Sequence, residues 1–327
     1  MANNDGTGPI PGRGASTFPL VSVLVPLYNH AKFVEQCLES IVSEGYPNKE
    51  IIVLDDGSSD ASLDIVHAWH EANGHRLSGP FVIISRENRG VIKTLNELVA
   101  RSGGTFIVPV ASDDYLKPDG IRTRLDYLLA HPEKMAVIGD CIVVDHDNNK
   151  LYDSGLTEFK RGRKAYLAHE KLIDYELVFR WCVPGPVFMA RRELYREVGE
   201  YREGIAVEDR DFFLRLVARG LLGFVDFPVA AYRIHAGGFT STPARELIYK
   251  EAMYVTVTEN LSSFSGLRRL FLLAYKMELS AEVARLNGNE GVMLFFRRTV
   301  GRLCVSFLKR IYTAVSPLMY RMSGSAR

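Results

Sequence analysis

The chain has 327 residues, 47% of them hydrophobic and 24% charged, and a net charge of +1. That is enough material for one large domain or two with a substantial core, while the near-zero charge gives a nucleic-acid partner no bulk electrostatic support. The cysteines Cys37, Cys141, Cys182 and Cys304 show neither metal-ligand nor disulfide-framework spacing, so the expectation is reduced thiols in a cytoplasmic protein.

Residues 1–17 are rich in Gly, Pro, Asn and Ser and lack a basic start followed by an apolar stretch. They are expected to form a disordered lead-in, not a signal peptide. No apolar run approaches the ~18 residues needed to cross a bilayer.

From Val21 onward, strand and helix patterns alternate. VSVLVPLYN reads as a strand, and KFVEQCLESIVSE as a helix with Phe33, Cys37, Leu38 and Ile41 on one face. EIIVLDDGSSD reads as a second strand ending in turn residues, with Ser59 or Asp60 placed to cap ASLDIVHAWHEA. FVIISREN and TFIVPVASDD are a third and a fourth strand, separated by the helix VIKTLNELVARS. The helix IRTRLDYLLAHP closes at Pro132, and MAVIGDCIVVD is a fifth strand turning at HDNN. Beyond about residue 150 the alternation weakens: VEDRDFFLRLVARG is an amphipathic helix, LGFVDFPVAAYRIH a strand, and the rest from about Ser241 helical.

Repeated strand–helix–strand units predict right-handed crossovers and a mostly parallel sheet covered on both faces, with ligands beyond the carboxyl ends of the strands. Polar residues collect at those ends: Tyr28-Asn29, Asp55-Asp56, Arg86-Glu87-Asn88 and Asp113-Asp114. Solvated loops explain any one of these clusters but are strained by four together. Adjacent carboxylates at a strand end suit a hard divalent cation, Mg²⁺ or Mn²⁺, bridging to a diphosphate. The plainer alternative is a helix cap by Asp114 or Asp119. Neither a Gly-x-Gly-x-x-Gly after a strand nor a P-loop is present.

VSVLVPLYNHAKFVEQCLESIVSEGYPNKEIIVLDDGSSD closely resembles the opening of family 2 glycosyltransferases of the GT-A fold. NRGVIKTLNELVARSGGTFIVPVASDD, VEDRDFFLRL and YRIHAGG follow in the family's order, so the resemblance runs from about residue 20 to about 240. It implies an α/β GT-A catalytic domain over residues 18–240, followed by a helical region over residues 241–327. It further implies inverting transfer of a sugar from a nucleotide-sugar, a UDP-sugar by expectation, to a hydroxyl of a glycan or lipid-linked acceptor in cell-envelope polysaccharide synthesis. Pro26, Tyr28, Asn29, Asp55, Asp56, Asn88, Gly90 and Ser112 are the implied nucleotide-binding set. Asp113, Asp114 and His235 are the implied ligands of Mn²⁺ or Mg²⁺.

Asp209 is the implied base that takes the acceptor's proton, a role a carboxylate performs within hydrogen-bond reach, with Glu208 binding the acceptor or tuning Asp209. From residue type alone these acids equally fit a helix start favoured by its dipole. The sequence departs from the pattern at Ala111, where the first acid of the family's Asp-x-Asp stands. That departure keeps open a catalytically impaired scaffold at the membrane, beside a sugar-nucleotide pyrophosphorylase-like enzyme, which would need a basic phosphate loop that VPLYNHAKF lacks.

After Glu290 the chain has no acid but carries Arg297, Arg298, Arg302, Lys309, Arg310, Arg321 and Arg327. Helical spacing puts Phe296, Val300, Leu303, Cys304, Phe307, Ile311 and Val315 on one face, with Arg298, Arg302 and Lys309 opposite. The expectation is an amphipathic helix lying on an anionic surface, the inner face of the cytoplasmic membrane; the alternatives are docking on the catalytic domain or a subunit interface. No sequence feature sets an oligomeric state.

Overall fold

The computed structural model describes residues 18–235, 244–289 and 291–324. The lead-in expected over residues 1–17, the glycine pair after His235 and the boundary expected at 240/241 lie outside the described residues. In chain order the first half runs β1 (Val21–Leu27), α1 (Val34–Ser43), β2 (Lys49–Asp55), α2 (Ser62–Asn73), β3 (Phe81–Ser85), α3 (Val91–Arg101), β4 (Phe106–Pro109), β5 (Tyr115–Leu116), α4 (Gly120–Ala130) and β6 (Ala136–Val144). It continues with β7 (Lys150–Tyr152), α5 (Lys164–Leu167), α6 (Ile173–Phe179), β8 (Phe188–Arg191), α7 (Leu194–Glu197), α8 (Glu208–Ala218) and β9 (Leu222–Arg233). Three helices close it: α9 (Ala244–Asn260), α10 (Gly266–Leu286) and α11 (Val292–Gly324).

The strands form one sheet in the order β3-β2-β1-β4-β8-β6-β9-β5, with β7 on β6. β3, β2, β1 and β4 are parallel neighbours, as their alternation with helices predicts. β1 and β2 are apolar runs buried almost throughout, the composition a strand covered on both faces requires. The second half is mixed: β8 enters antiparallel between β4 and β6, β6 and β9 are parallel, and β5 is antiparallel to β9. TFIVPVASDD is therefore not one strand. It ends at Pro109, and the chain turns through Ser112–Asp114 with the Asp114 N–H donating to the Ala111 carbonyl at 2.9 Å.

The C-terminal helices share the core of the sheet domain instead of forming a separate unit. Met253, Phe271 and Tyr312 are buried with the residues of β1, β6 and α8 in a single apolar cluster. Around it, Arg163 donates to the Glu176 carboxylate at 2.6 Å, Tyr312 donates to the same carboxylate at 2.8 Å, and Arg163 reaches Ser316 at 2.9 Å.

α11 packs along α10. Arg298 and Arg302 face α10 and meet Glu278 and the buried Glu282, while Lys309 lies over the Phe271 ring. A Cβ at Gly301 would come within 2.8 Å of the Glu278 backbone, so glycine is what lets the two helices approach here. The packed stripe is Arg298, Gly301, Val305, Tyr312 and Ser316; of the apolar face, Val300, Cys304 and Ile311 are half-buried, whereas Phe296, Leu303 and Phe307 are more than 60% exposed. Among the described residues no helix is long and apolar enough to cross a membrane.

Candidate active site

The carboxyl ends of β1, β2 and β4 and the end of β9 converge on one rim. Pro26 lies near the end of β1, and Tyr28 follows with its ring 47% exposed, open on one side for a flat ligand. Asn29 has φ +54° and ties the first loop to the second: its N–H donates to Ser58 Oγ at 2.9 Å and its Oδ1 accepts from the Ser59 N–H at 2.8 Å. Gly57 has φ +72°, and a Cβ there would lie 2.8 Å from the Asn88 nitrogen. No other residue type fits both conditions.

Asp55 and Asp56 are both buried. Asp55 accepts from the Ser58 N–H at 3.2 Å and from Ser85 Oγ at 3.1 Å. Asp56 is more heavily engaged, accepting from the Arg86 guanidinium, the Arg89 N–H at 2.8 Å and the Gly90 N–H at 2.9 Å. Asn88 accepts from the same Gly90 N–H at 3.2 Å. Asp56, Asn88 and Gly90 thus brace the loop between β3 and α3, and Asp55 is left as the less occupied carboxylate at the rim.

Next to this lies a cluster of His30, Asp113 and His235, whose nitrogen and oxygen ligand atoms all fall within 4.8 Å of one another. His235 Nε2 is 2.9 Å from Asp113 Oδ2, and His30 Nε2 is 3.8 Å from the same oxygen. Ser112 is fully buried and meets His30 Nδ1 at 2.8 Å. Burial works to raise the Asp113 carboxyl, but the hydrogen bond to His235 and the charge of His30 outweigh it and hold it below the usual range. For His30 burial prevails over the attraction of Asp113 and lowers its pKa, which favours a neutral ring. Imidazole nitrogens converging with a carboxylate oxygen are a donor set that a divalent transition-metal cation accepts, so the residues present fit such an ion.

Asp114, expected as a ligand, lies outside this cluster. Its Oδ1 accepts the Arg233 N–H at 2.8 Å, its side chain is 3% exposed, and burial together with the adjacent Asp113 charge pushes it well above the usual carboxylate range. A buried carboxyl inclined to stay protonated ties β9 to the turn and makes a poor cation ligand. Arg233 completes that fastening: its guanidinium donates to the Asp113 carbonyl at 2.8 Å, the Asp145 carbonyl at 3.1 Å, Gln36 Oε1 at 2.7 Å and Asn148 Oδ1 at 2.8 Å.

Glu208 and Asp209 open α8. Burial, then the charge of Asp209, pushes Glu208 up to about 7, and burial raises Asp209 against the opposing Arg210 N–H, which it accepts at 2.6 Å. Tyr232 feels both groups: burial first, and then the charges of Asp114, Asp113, Cys141 and Asp209, push its hydroxyl up to about 12. Arg210 is buried against Trp181 and Tyr275, with ring distances of 5.8 and 5.4 Å, so α10 helps wall the site.

His30 and Tyr232 were not singled out from the sequence. Tyr232 opens the YRIHAGG stretch, but nothing in its residue type or spacing marks it as facing the acids. His30 does carry one: with Ala111 in place of an acid, a further ligand has to come from another rim loop, and His30 directly follows Tyr28-Asn29.

Known proteins resemble this chain in sequence and in fold. The chain is 29% identical to EpsH of Bacillus subtilis over 234 residues, covering 70% of this chain and 65% of that protein. It is 36% identical to the chondroitin synthase of Escherichia coli over 108 residues, covering 33% of this chain and 15% of the synthase. The match thus spans less than two thirds of either relative. Among solved structures, S. aureus TarS 1–349 in complex with UDP-GlcNAc superposes with a TM-score of 0.61 at 18% identity, over 86% of this chain and 79% of that one. The mannosyltransferase PcManGT of Pyrobaculum calidifontis, in complex with GDP-Man and Mn²⁺, gives 0.55 at 17% identity over 94% and 83%. These two share the fold, a curled mixed sheet of the GT-A type with a helical C-terminal region. Residues 22–199, more than half the chain, match the family described as glycosyl transferase family 2, and the chain belongs to that family.

Proposed function

We propose that this protein is an inverting glycosyltransferase that moves a sugar from a UDP-sugar to an acceptor hydroxyl. The observation that carries the reading is the pair Glu208–Asp209, two acids with raised pKa values, together with the cluster of Asp113, His30 and His235, both groups acting on the Tyr232 hydroxyl. Tyr28 would stack on the base and Asp55 would accept its N–H, since a base presents a flat face and an in-plane donor. Asp113 and His235 would hold Mn²⁺ or Mg²⁺, which as a Lewis acid would supply charge stabilisation for the departing diphosphate. The Mn²⁺ named with PcManGT and the UDP-GlcNAc named with TarS support the two choices.

Asp209 would accept the proton of the acceptor hydroxyl as its oxygen attacks the anomeric carbon from the face opposite the leaving diphosphate, which inverts that centre. Glu208, at about 7, sits at the pH where it can take or release a proton and so keep Asp209 ionised. Screened with UDP-, GDP- and dTDP-sugars plus Mn²⁺, the protein should hydrolyse a UDP-sugar above the others and lose that activity with chelator. Equal activity with chelator would remove the metal, and no hydrolysis or binding of any nucleotide-sugar would remove the reading.

The acceptor we propose is a glycan or lipid-linked glycan of the cell envelope, reached from the membrane surface. The outward stripe of α11 supports this: Phe296, Leu303, Phe307, Leu318 and Met322 are exposed, Arg297, Arg310 and Arg321 are exposed beside them, and no acid follows residue 290. A second copy packed on this stripe would bring like charges together, whereas anionic lipid complements them. Phe296→Ser, Leu303→Ser and Phe307→Ser combined should abolish sedimentation with anionic liposomes and leave the unfolding temperature unchanged. Undiminished sedimentation would overturn the assignment.

A further inference from the structure

Ala111 removes the acid that the family's pattern places two residues before Asp113. The gap on that side of Asp113 is filled by an imidazole from another loop. His30 is held at three points: its N–H donates to Ser62 Oγ at 2.8 Å, its Nδ1 meets Ser112 Oγ at 2.8 Å, and its ring packs edge-on to Phe33 with centroids 6.2 Å apart. These contacts aim Nε2 at Asp113. The rings of His30 and His235 stand at 83° with centroids 5.7 Å apart, and both Nε2 atoms converge on Asp113 Oδ2.

A hydrogen-bonded cluster without a cation would account for His235, 2.9 Å from the carboxylate, but not for His30, whose Nε2 at 3.8 Å lies beyond hydrogen-bond reach. An imidazole fixed through one nitrogen, with the other presented to a carboxylate and a second imidazole, is the way metal-ligating histidines are held. We propose that His30 is a metal ligand that replaces the missing acid, making with Asp113 and His235 a two-histidine, one-carboxylate site selective for Mn²⁺ over Mg²⁺. Mg²⁺ prefers all-oxygen ligands in near-ideal octahedral geometry, whereas Mn²⁺ accepts imidazole. This deepens the reading above, since it assigns the cation of the same site, but it concerns metal binding alone and does not depend on the sugar transferred.

The test is a calorimetric titration of metal-stripped, full-length protein without nucleotide. Wild type should bind one Mn²⁺ and show at least tenfold weaker binding of Mg²⁺. His30→Asn places its amide where Nδ1 stood, keeps a partner for Ser112 and removes Nε2; Mn²⁺ affinity should fall at least tenfold, with the unfolding temperature close to wild type. His30→Ala, which also removes Nε2, serves if the Asn variant fails to fold, and the Mn²⁺/Mg²⁺ comparison on wild type needs no variant. Wild-type Mn²⁺ affinity in a folded His30 variant, Mg²⁺ binding as tight as Mn²⁺, or no Mn²⁺ binding at all would each overturn the proposal. A protein that binds Mn²⁺ as described yet hydrolyses no nucleotide-sugar would sink the transferase reading and leave this one standing.

Discussion

Asp209→Asn is expected to lower turnover by a factor on the order of 10²–10⁴ while donor affinity stays within about twofold of wild type, the weight general-base assistance carries. The asymmetry follows from position. Asp209 is at the start of α8, whereas the implied nucleotide contacts lie on the loops after β1, β2 and β3. An amide keeps the shape and the hydrogen bond to the Arg210 N–H but cannot take a proton.

The pH profile sharpens the test. A base must be ionised to act, and burial raises both acids, so turnover should climb with pH over a limb that lies above the usual carboxylate range. In Asp209→Asn the neighbouring charge that helps raise Glu208 is gone, so the remaining acid limb should move to lower pH. Loss of donor binding in step with turnover would make Asp209 a binding residue.

Arg233→Met is expected to cost about 3 kcal/mol of stability or more, because several buried or half-buried acceptors lose their donor at once. The guanidinium reaches two backbone carbonyls and two side-chain oxygens on three separate segments, and Arg233 is 3% exposed. Methionine fills comparable volume against Phe33 but donates nothing. The backbone N–H that holds Asp114 survives the change, so the expected result is a looser turn at Asp113, seen as a lower urea midpoint together with weaker Mn²⁺ binding. A midpoint shift worth less than about 1 kcal/mol would show that the fastening is redundant.

Much of the fold was legible in residue order. Apolar runs at β1 and β2, buried on both faces, can only be central parallel strands, and the helices between them follow from periodicity and turn residues. The rim was legible for the same reason, since strand ends in such a sheet share one edge. What periodicity does not carry is which distant segment completes a hydrogen-bond set. Asp113 and Asp114 are adjacent and chemically identical in sequence, yet one faces the two histidines and the other accepts a backbone N–H from β9, more than a hundred residues away.

The antiparallel entry of β8 between β4 and β6 has the same origin, because strand pairing is settled by long-range contacts that leave only short apolar runs in the sequence. The tail shows the division most plainly. Its sequence alone determined a long amphipathic helix with one apolar and one basic face. Only the tertiary structure decided which face packs. The buried Glu282 on α10 needs cationic partners, and Gly301 allows the close approach that supplies them, so Arg298 and Arg302 meet α10 while Phe296, Leu303 and Phe307 are left exposed.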